Sequence, residues 1–309
     1  MQLAPIKIGS RGSPLAVAMA AEVKATLKAA HSLSDGAIKL ESITTTGDRI
    51  QNRSLAESGG KGLFTVEIET ALLAGAIDIA VHSTKDMPSL LPEGLKISGY
   101  LKREDPRDGF IGAKVQSFRD LPTGATVGTA ALRRQALVKK LRPDLTTVLM
   151  RGNIDTRLKK VQEGGVDATF LAMAGVNRLG LQRYIHEIMD DTIFPPPPGQ
   201  GAICLETRAN DDRIDQLLAP IQDEETHIAV CCERQFLASL NGSCRTPLAG
   251  YASIKGDALL FHGMILTPDG QTFHEIAMEG KKADAGAIGR AAAQKLRRDA
   301  GEAFFQSWN

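Results

Sequence analysis

Two residues stand out by the company they keep. Cys244 lies in NGSCRTPLA, residues 241–249, among small and turn-forming residues that place it on a loop. A loop thiol can be a nucleophile, a metal ligand, half of a disulfide or an attachment point, and its reactivity depends on nearby positive charge that favours the thiolate. Asp86 stands in VHSTKDMP, where a strand-like run passes through His82, Ser83 and Lys85 before a proline. A carboxylate among cations stays ionised, which suits it to stabilise a developing cation or to hold an N–H donor. His82 reads as a packed strand residue.

The other cysteines do not compete with Cys244. Cys231 and Cys232 lie in HIAVCCERQFLASL, where Ile228, Cys232, Phe236 and Leu240 form a helical stripe, and Cys204 lies in the strand-like GAICLE; all three read as small core residues. Neither a C-x-x-C pair nor an H-E-x-x-H stretch occurs, so no zinc site, and no other metal site, is expected.

Cations collect where strand-like runs give way to helical ones. In GSRGSPLA, Ser13 suits a helix N-cap and Pro14 the first helical position, with Arg11 just upstream. In GTAALRRQ, Thr129 is placed to cap a helix whose first turn carries Arg133 and Arg134; in RGNIDTRL, Asn153 caps a helix flanked by Arg151 and carrying Arg157. In GGKGLF, Lys61 precedes a helix expected to bury Phe64, Ile68 and Leu72. A helix start offers unpaired N–H groups, and an adjacent guanidinium adds a planar fork that matches a carboxylate or phosphate. Phosphate fingerprints fail: Leu55 stands where a P-loop needs its first glycine, and GSRGSP does not complete G-x-G-x-x-G. Dispersed arginines therefore favour a polycarboxylate over a nucleotide.

The elements that must position these residues follow from periodicity. IKIGS, IKLESITTT and IDIAVHS alternate with helical patterns, and beyond LKISGYLKREDPRDGF a second set appears: ATVGT, ALRRQALVKKL, LTTVLM, NIDTRLKKVQEG and ATFLAMA. Such alternation predicts two α/β lobes built on parallel sheets. The proline run Pro195–Pro198 is a stiff connection into another strand. From Glu224 the pattern becomes a helix, three successive strands and a closing helix marked by Ile288, Ala292, Leu296 and Ala300, an α+β domain with a three-stranded antiparallel sheet. The expected partition is 1–101 with 201–220, 102–200, and 221–309, in keeping with a length of 309 residues. Lys and Arg number 37 against 36 Asp and Glu, so no global field draws in nucleic acid. No apolar run is long enough to cross a membrane. SPLAVAMAA has the look of a signal-peptide core, but Leu15, Met19, Val23 and Leu27 continue the pattern past Glu22 and Lys24 as an amphipathic helix, and a cytoplasmic location is expected.

The stretches GSRGSPLA, GGKGLF, AVHSTKDMP, REDPRD, LRRQ, RPDL, RGNIDTRL, PGQGA and ERQFLASLNGSCRTPLA, in this order, closely resemble the porphobilinogen deaminase (hydroxymethylbilane synthase) family over nearly the whole chain. The resemblance implies three domains, the first two built like the lobes of periplasmic binding proteins. It implies a monomer acting on porphobilinogen, with a dipyrromethane cofactor joined by a thioether to Cys244. Porphobilinogen loses ammonia to give an electrophilic species that the terminal pyrrole carbon of the cofactor attacks; four additions and a hydrolysis release hydroxymethylbilane. Arg11, Ser13, Lys61, Phe64, Ser83, Lys85, Thr129, Arg133, Arg134, Arg151, Arg157 and Gln200 would then contact the cofactor and substrate, and Asp86 would face the pyrrole N–H groups and assist proton transfer. Each pyrrole carries an acetate and a propionate, so the ligand is the polycarboxylate that the dispersed arginines suit.

Two features depart from the family pattern. Ala130 and Ala131 replace hydroxyl residues before the paired arginines, and the proline run is longer than usual. Two other functions are compatible with parts of the sequence. A two-lobed binding protein for a multiply charged anion would share the lobes but has no use for the loop cysteine. A cysteine-dependent acyl transferase would need a base beside Cys244, and neither His227 nor His262 lies in a motif that supplies one.

Overall fold

The structure is a computed structural model that describes residues 5–49, 64–243 and 246–308. In chain order the elements begin β1 (Ile6–Arg11), α1 (Pro14–His31), β2 (Ile38–Ile43), α2 (Thr46–Arg49), α3 (Val66–Leu73), β3 (Ile79–Ser83) and β4 (Leu95–Tyr100). Next come β5 (Asp108–Gly112), β6 (Thr126–Gly128), α4 (Leu132–Leu141), β7 (Thr146–Val148), α5 (Ile154–Gln162), β8 (Ala168–Ala172), α6 (Met173–Arg178) and β9 (Glu187–Ile188). After β10 (Ile203–Arg208) and α7 (Asp212–Leu218) the chain ends with α8 (Glu224–Ser239), β11 (Leu248–Lys255), β12 (Ala258–Leu266), β13 (Phe273–Lys281), α9 (Ala285–Ala300) and α10 (Glu302–Gln306). The described residues divide into two compact units, 5–49 with 64–103 and 202–227, and 104–201 with 228–243 and 246–308.

The first unit is a five-stranded sheet in the order β2-β1-β3-β10-β4. Alternation along the strands sends Ile8, Ile79, Val81, Ile203 and Leu205 to one face, where Met19, Val23 and Leu27 of α1 cover them. Ala80 faces the other way and packs with Ile68 and Leu72 of α3. Burying each of these larger side chains contributes roughly 1.5–3 kcal/mol. Strands β1, β2 and β3 are parallel, as the alternating pattern predicts, but β10 is antiparallel to both β3 and β4. The chain leaves this unit after β4 and re-enters at β10, so β10 starts at the end of the sheet where β4 stops and must run the other way.

The second unit holds a sheet of order β7-β6-β8-β5-β9, in which β6 is parallel to β7 and β8 while β5 is antiparallel to β8 and β9. Its core gathers Phe110, Phe118, Phe170 and Phe194, with the rings of Phe170 and Phe194 stacked at 4.7 Å. The same unit carries the antiparallel sheet β11-β12-β13. There Cys232 and Phe236 on α8, with Leu240 just past its end, meet Ile288, Ala292 and Leu296 of α9 along the predicted stripe. Gly289 permits the close approach of those two helices, since a Cβ at that position would lie 2.1 Å from the Cys232 carbonyl oxygen. Ala249, Met264 and Leu266 also join the cluster that holds Phe170, so the two sheets of this unit share buried apolar surface. The stretch LKISGYLKREDPRDGF, read from sequence as a break between lobes, supplies β4 and the start of β5. Among the described residues no helix is long and apolar enough to cross a membrane.

Candidate functional site

In the first unit, parallel strands β1 and β3 deliver their candidate residues at the carboxyl end of the sheet, since both end there. Arg11 is the last residue of β1, and Ser13 caps α1, its Oγ accepting from the Ala16 amide at 3.4 Å. The Arg11 guanidinium donates to the Asp48 carboxylate, with Nε 3.1 Å from Oδ1, and lies 4.1 Å from the centroid of the Phe64 ring. Burial alone would raise the Asp48 pKa, but hydrogen bonds from Arg11 and Thr45 hold it below the ordinary carboxylate value. Phe64 is therefore a platform for Arg11, half-buried and ahead of α3, whereas the sequence had placed it on the buried face of that helix beside Ile68 and Leu72.

Ser83 ends β3, and Lys85 and Asp86 follow in a single 3-10 turn. That turn is anchored by Thr84, whose amide and hydroxyl both donate to the Ala202 carbonyl at 3.0 and 2.9 Å. Lys85 and Ser83 are half-buried, and Asp86 is exposed to solvent. On the strand before them His82 is buried, its Nε2 3.1 Å from the buried Glu206 carboxylate. It is a packed strand residue, as expected.

The second unit repeats the arrangement at the carboxyl ends of β6 and β7. Thr129 follows β6 and is buried, with Oγ1 accepting from the Ala131 amide at 3.2 Å. Helix α4 begins at Leu132 with Ala131 as its N-cap and no side-chain cap, so Thr129 braces the turn leading into the helix instead of capping it. After β7, Gly152 adopts a φ of +127°, and Asn153 caps α5 by accepting from the Thr156 amide at 2.9 Å. Arg151 and Arg157 flank this turn, both half-buried, and Arg157 Nε donates to the Gly152 carbonyl at 3.0 Å.

Arg133 and Arg134 are not the open forks their sequence position suggests. They are 4% and 5% exposed, and both reach Asp108, which is fully buried at the start of β5. Gln200 reaches the same group, donating from Nε2 to Asp108 Oδ1 at 3.0 Å and to the Pro106 carbonyl at 2.6 Å. Burial works to protonate Asp108, yet the two guanidinium charges and their hydrogen bonds hold its pKa far below the ordinary carboxylate value. The proline run serves as an acceptor: Pro195 takes a hydrogen bond from Arg133 Nη1, and Pro196 takes one from the Gly250 amide. Glu233 on α8 fixes the turn before Gln200, accepting from Gly199 N at 2.6 Å and from Ala252 N at 2.8 Å.

Sequence reasoning did not single out Asp108, Asp48 or Glu233. Asp108 carried a signal as the last residue of REDPRD; Asp48 carried none. Cys244 and Lys61 lie outside the described residues. Among the described cysteines, Cys204 and Cys232 are buried, and burial pushes the Cys232 thiol far above its ordinary pKa, which leaves it inert at neutral pH. No group of three or more metal-ligating side chains that could hold an ion occurs among the described residues.

The donors in both units are guanidinium, ammonium and hydroxyl groups held at strand ends by caps and carboxylates. Such donors fit carboxylates, and the exposed Asp86 carboxylate fits an N–H group. A family described as "Porphobilinogen deaminase, dipyromethane cofactor binding domain" matches residues 6–216, and one described as "Porphobilinogen deaminase, C-terminal domain" matches residues 227–298. A protein of Nitrobacter winogradskyi named porphobilinogen deaminase is 54% identical over 298 residues, which is 96% of this chain and 94% of its own length. Similar solved structures include the methionine-binding protein MetQ (TM-score 0.45, 14% identity, 72% of this chain and 91% of that one). A periplasmic substrate-binding protein of an ABC transporter from Coxiella burnetii has a TM-score of 0.43 and 14% identity, over 72% of this chain and 94% of its own.

Proposed function

The chain belongs to the porphobilinogen deaminase family, and from that premise we propose a division of labour among its residues. Its activity is that of hydroxymethylbilane synthase, a transferase with a dipyrromethane cofactor-binding domain. When bound, the dipyrromethane supplies the free pyrrole carbon onto which porphobilinogen units are joined. Cys244, in the C-terminal domain, holds that group through a thioether. Once alkylated the sulfur has no further nucleophilic role, so the cysteine is an anchor.

Asp86 is the catalytic group. It is the exposed carboxylate on a turn otherwise bearing Ser83 and Lys85, and Thr84 fixes its backbone. An ionised carboxylate there accepts from pyrrole N–H groups, stabilises positive charge as ammonia departs and takes part in moving the α-carbon proton. Arg11, Ser13, Lys61, Lys85, Arg151 and Arg157 bind the acetate and propionate side chains, with Phe64 supporting Arg11. In the second unit, Thr129, Arg133, Arg134 and Gln200 are the residues of the cofactor- and substrate-binding set. The observation that carries this reading is the concentration of anchored cations at the carboxyl ends of parallel strands in each unit, with Asp86 as the exposed acid among them.

The same reading keeps three domains, 1–101 with 201–220, 102–200 and 221–309, in a cytoplasmic monomer. Assay of the purified holoenzyme tests it: Asp86→Ala should slow release of ammonia from porphobilinogen at least about a hundredfold, and Arg11→Gln or Arg151→Gln should raise KM. Normal kinetics in all three variants would remove these residues from the site.

A further inference from the structure

Two adjacent cations in the first turn of a helix are electrostatically out of place, because the partial positive charge of a helix start repels them. Arg133 and Arg134 occupy the second and third positions of α4, and both are buried. A fold that needed only rigidity there would do as well with apolar side chains of similar volume. What holds the arginines is Asp108. Its Oδ2 accepts from Arg133 Nη2 at 2.6 Å and from Arg134 Nε at 3.3 Å, and its Oδ1 accepts from Arg134 Nη2 at 2.7 Å.

The two arginines are not equivalent. Arg134 grips both carboxylate oxygens and donates from Nη1 to the Phe170 carbonyl at 2.9 Å, so all three of its nitrogens are engaged. Arg133 gives one nitrogen to Asp108 and one to the Pro195 carbonyl, and its Nε has no hydrogen-bond acceptor among the described residues. Two guanidinium groups against one carboxylate leave a single positive charge in a nearly water-free place. Such a charge costs several kcal/mol unless an anion meets it. The charges of Asp108 and Arg134 both act on Arg133, in opposite directions.

We infer that Asp108 is a positioning residue: with Arg134 as a strut, it aims Arg133 at one carboxylate of the cofactor or substrate and sets the net charge of the pair at one. This rests on the reading of Arg133 as a carboxylate-binding residue, and it separates the roles of two residues that the sequence presents as a matched pair.

The test compares holoenzyme variants Arg133→Gln, Asp108→Asn and the double variant Asp108→Leu with Arg134→Met. The double variant keeps one positive charge and replaces the ion pair with apolar groups, so it remains informative where Asp108→Asn fails to fold. KM and kcat for porphobilinogen are measured, together with the fraction of molecules that carry the primer, read by intact mass. Removing the aim of one charge-assisted hydrogen bond should raise KM about tenfold in the double variant and lower primer loading, with kcat of loaded molecules within about threefold. A folded, loaded double variant with the KM of wild type would overturn the inference while leaving Arg133 as a binder, provided Arg133→Gln raises KM. If Arg133→Gln also leaves KM unchanged, the binding role falls and the inference falls with it.

Discussion

His82 Nε2 lies 3.1 Å from Glu206 Oε2 across the antiparallel strands β3 and β10, and neither side chain is open to water. Glu69, on α3, is buried close to this pair. One oxygen of Glu206 has no hydrogen-bond partner among the described residues, and the Thr65 hydroxyl lies beside the Glu69 carboxylate. Burial, reinforced by the charge of Glu206, raises the Glu69 pKa above the ordinary value. The cluster clamps α3 against the strand that ends in Ser83, and so connects packing to the turn that carries Asp86.

A raised carboxyl pKa means the folded state favours the protonated form. The stabilisation it gives is complete below the unfolded value of about 4.3 and is lost as pH rises through the folded pKa. Glu69→Gln cannot ionise and escapes that loss. Urea unfolding at pH 5 and pH 8 should show the variant gaining on wild type as pH rises; a constant difference between the two would show that Glu69 is not the group responsible.

His82→Ala removes the partner of a fully buried carboxylate. Leaving that group unsatisfied should cost about 1–3 kcal/mol in urea unfolding, with kcat of the molecules that fold close to wild type. Loss of turnover without loss of stability would mean that His82 acts in the reaction.

Much of this was legible in the sequence because local chemistry decided it. Ser13 with Pro14, and Asn153 ahead of Thr156, announce helix starts through their own side chains, and the structure has both caps. The stripe of Cys232, Phe236 and Leu240 and the three C-terminal strands follow from periodicity alone. What periodicity could not show was any relationship set by chain path. The reversed direction of β10 depends on where the chain re-enters the first unit. The meeting of Arg133, Arg134 and Gln200 at Asp108 joins residues 25, 26 and 92 positions away from that carboxylate. Thr129 misled for a smaller reason: it has the chemistry of a cap but stands two residues before the N-cap position.

Asn153→Ala tests whether the α5 cap serves the site as well as the helix. Loss of the cap should cost about 1 kcal/mol. Because Arg157 is held by the Gly152 carbonyl of the same turn, KM for porphobilinogen should rise with little change in kcat. A stability loss with unchanged KM would confine Asn153 to the fold.

Asp86→Ala should retain the primer mass yet elongate at least about a hundredfold more slowly, the scale of losing one electrostatic stabiliser in an enclosed site. Asp86→Glu, which keeps the charge but moves it, should recover part of the rate. A wild-type rate in Asp86→Ala would show that the carboxylate itself does not matter.

The anchor at Cys244 is the claim on which the rest depends, and intact-mass measurement of the purified protein addresses it directly. Wild type should be heavier than its sequence by two linked pyrrole units, and Cys244→Ser should carry no adduct and have no activity. A fully active wild type at its unmodified mass, or an adduct that persists in Cys244→Ser, would contradict the account.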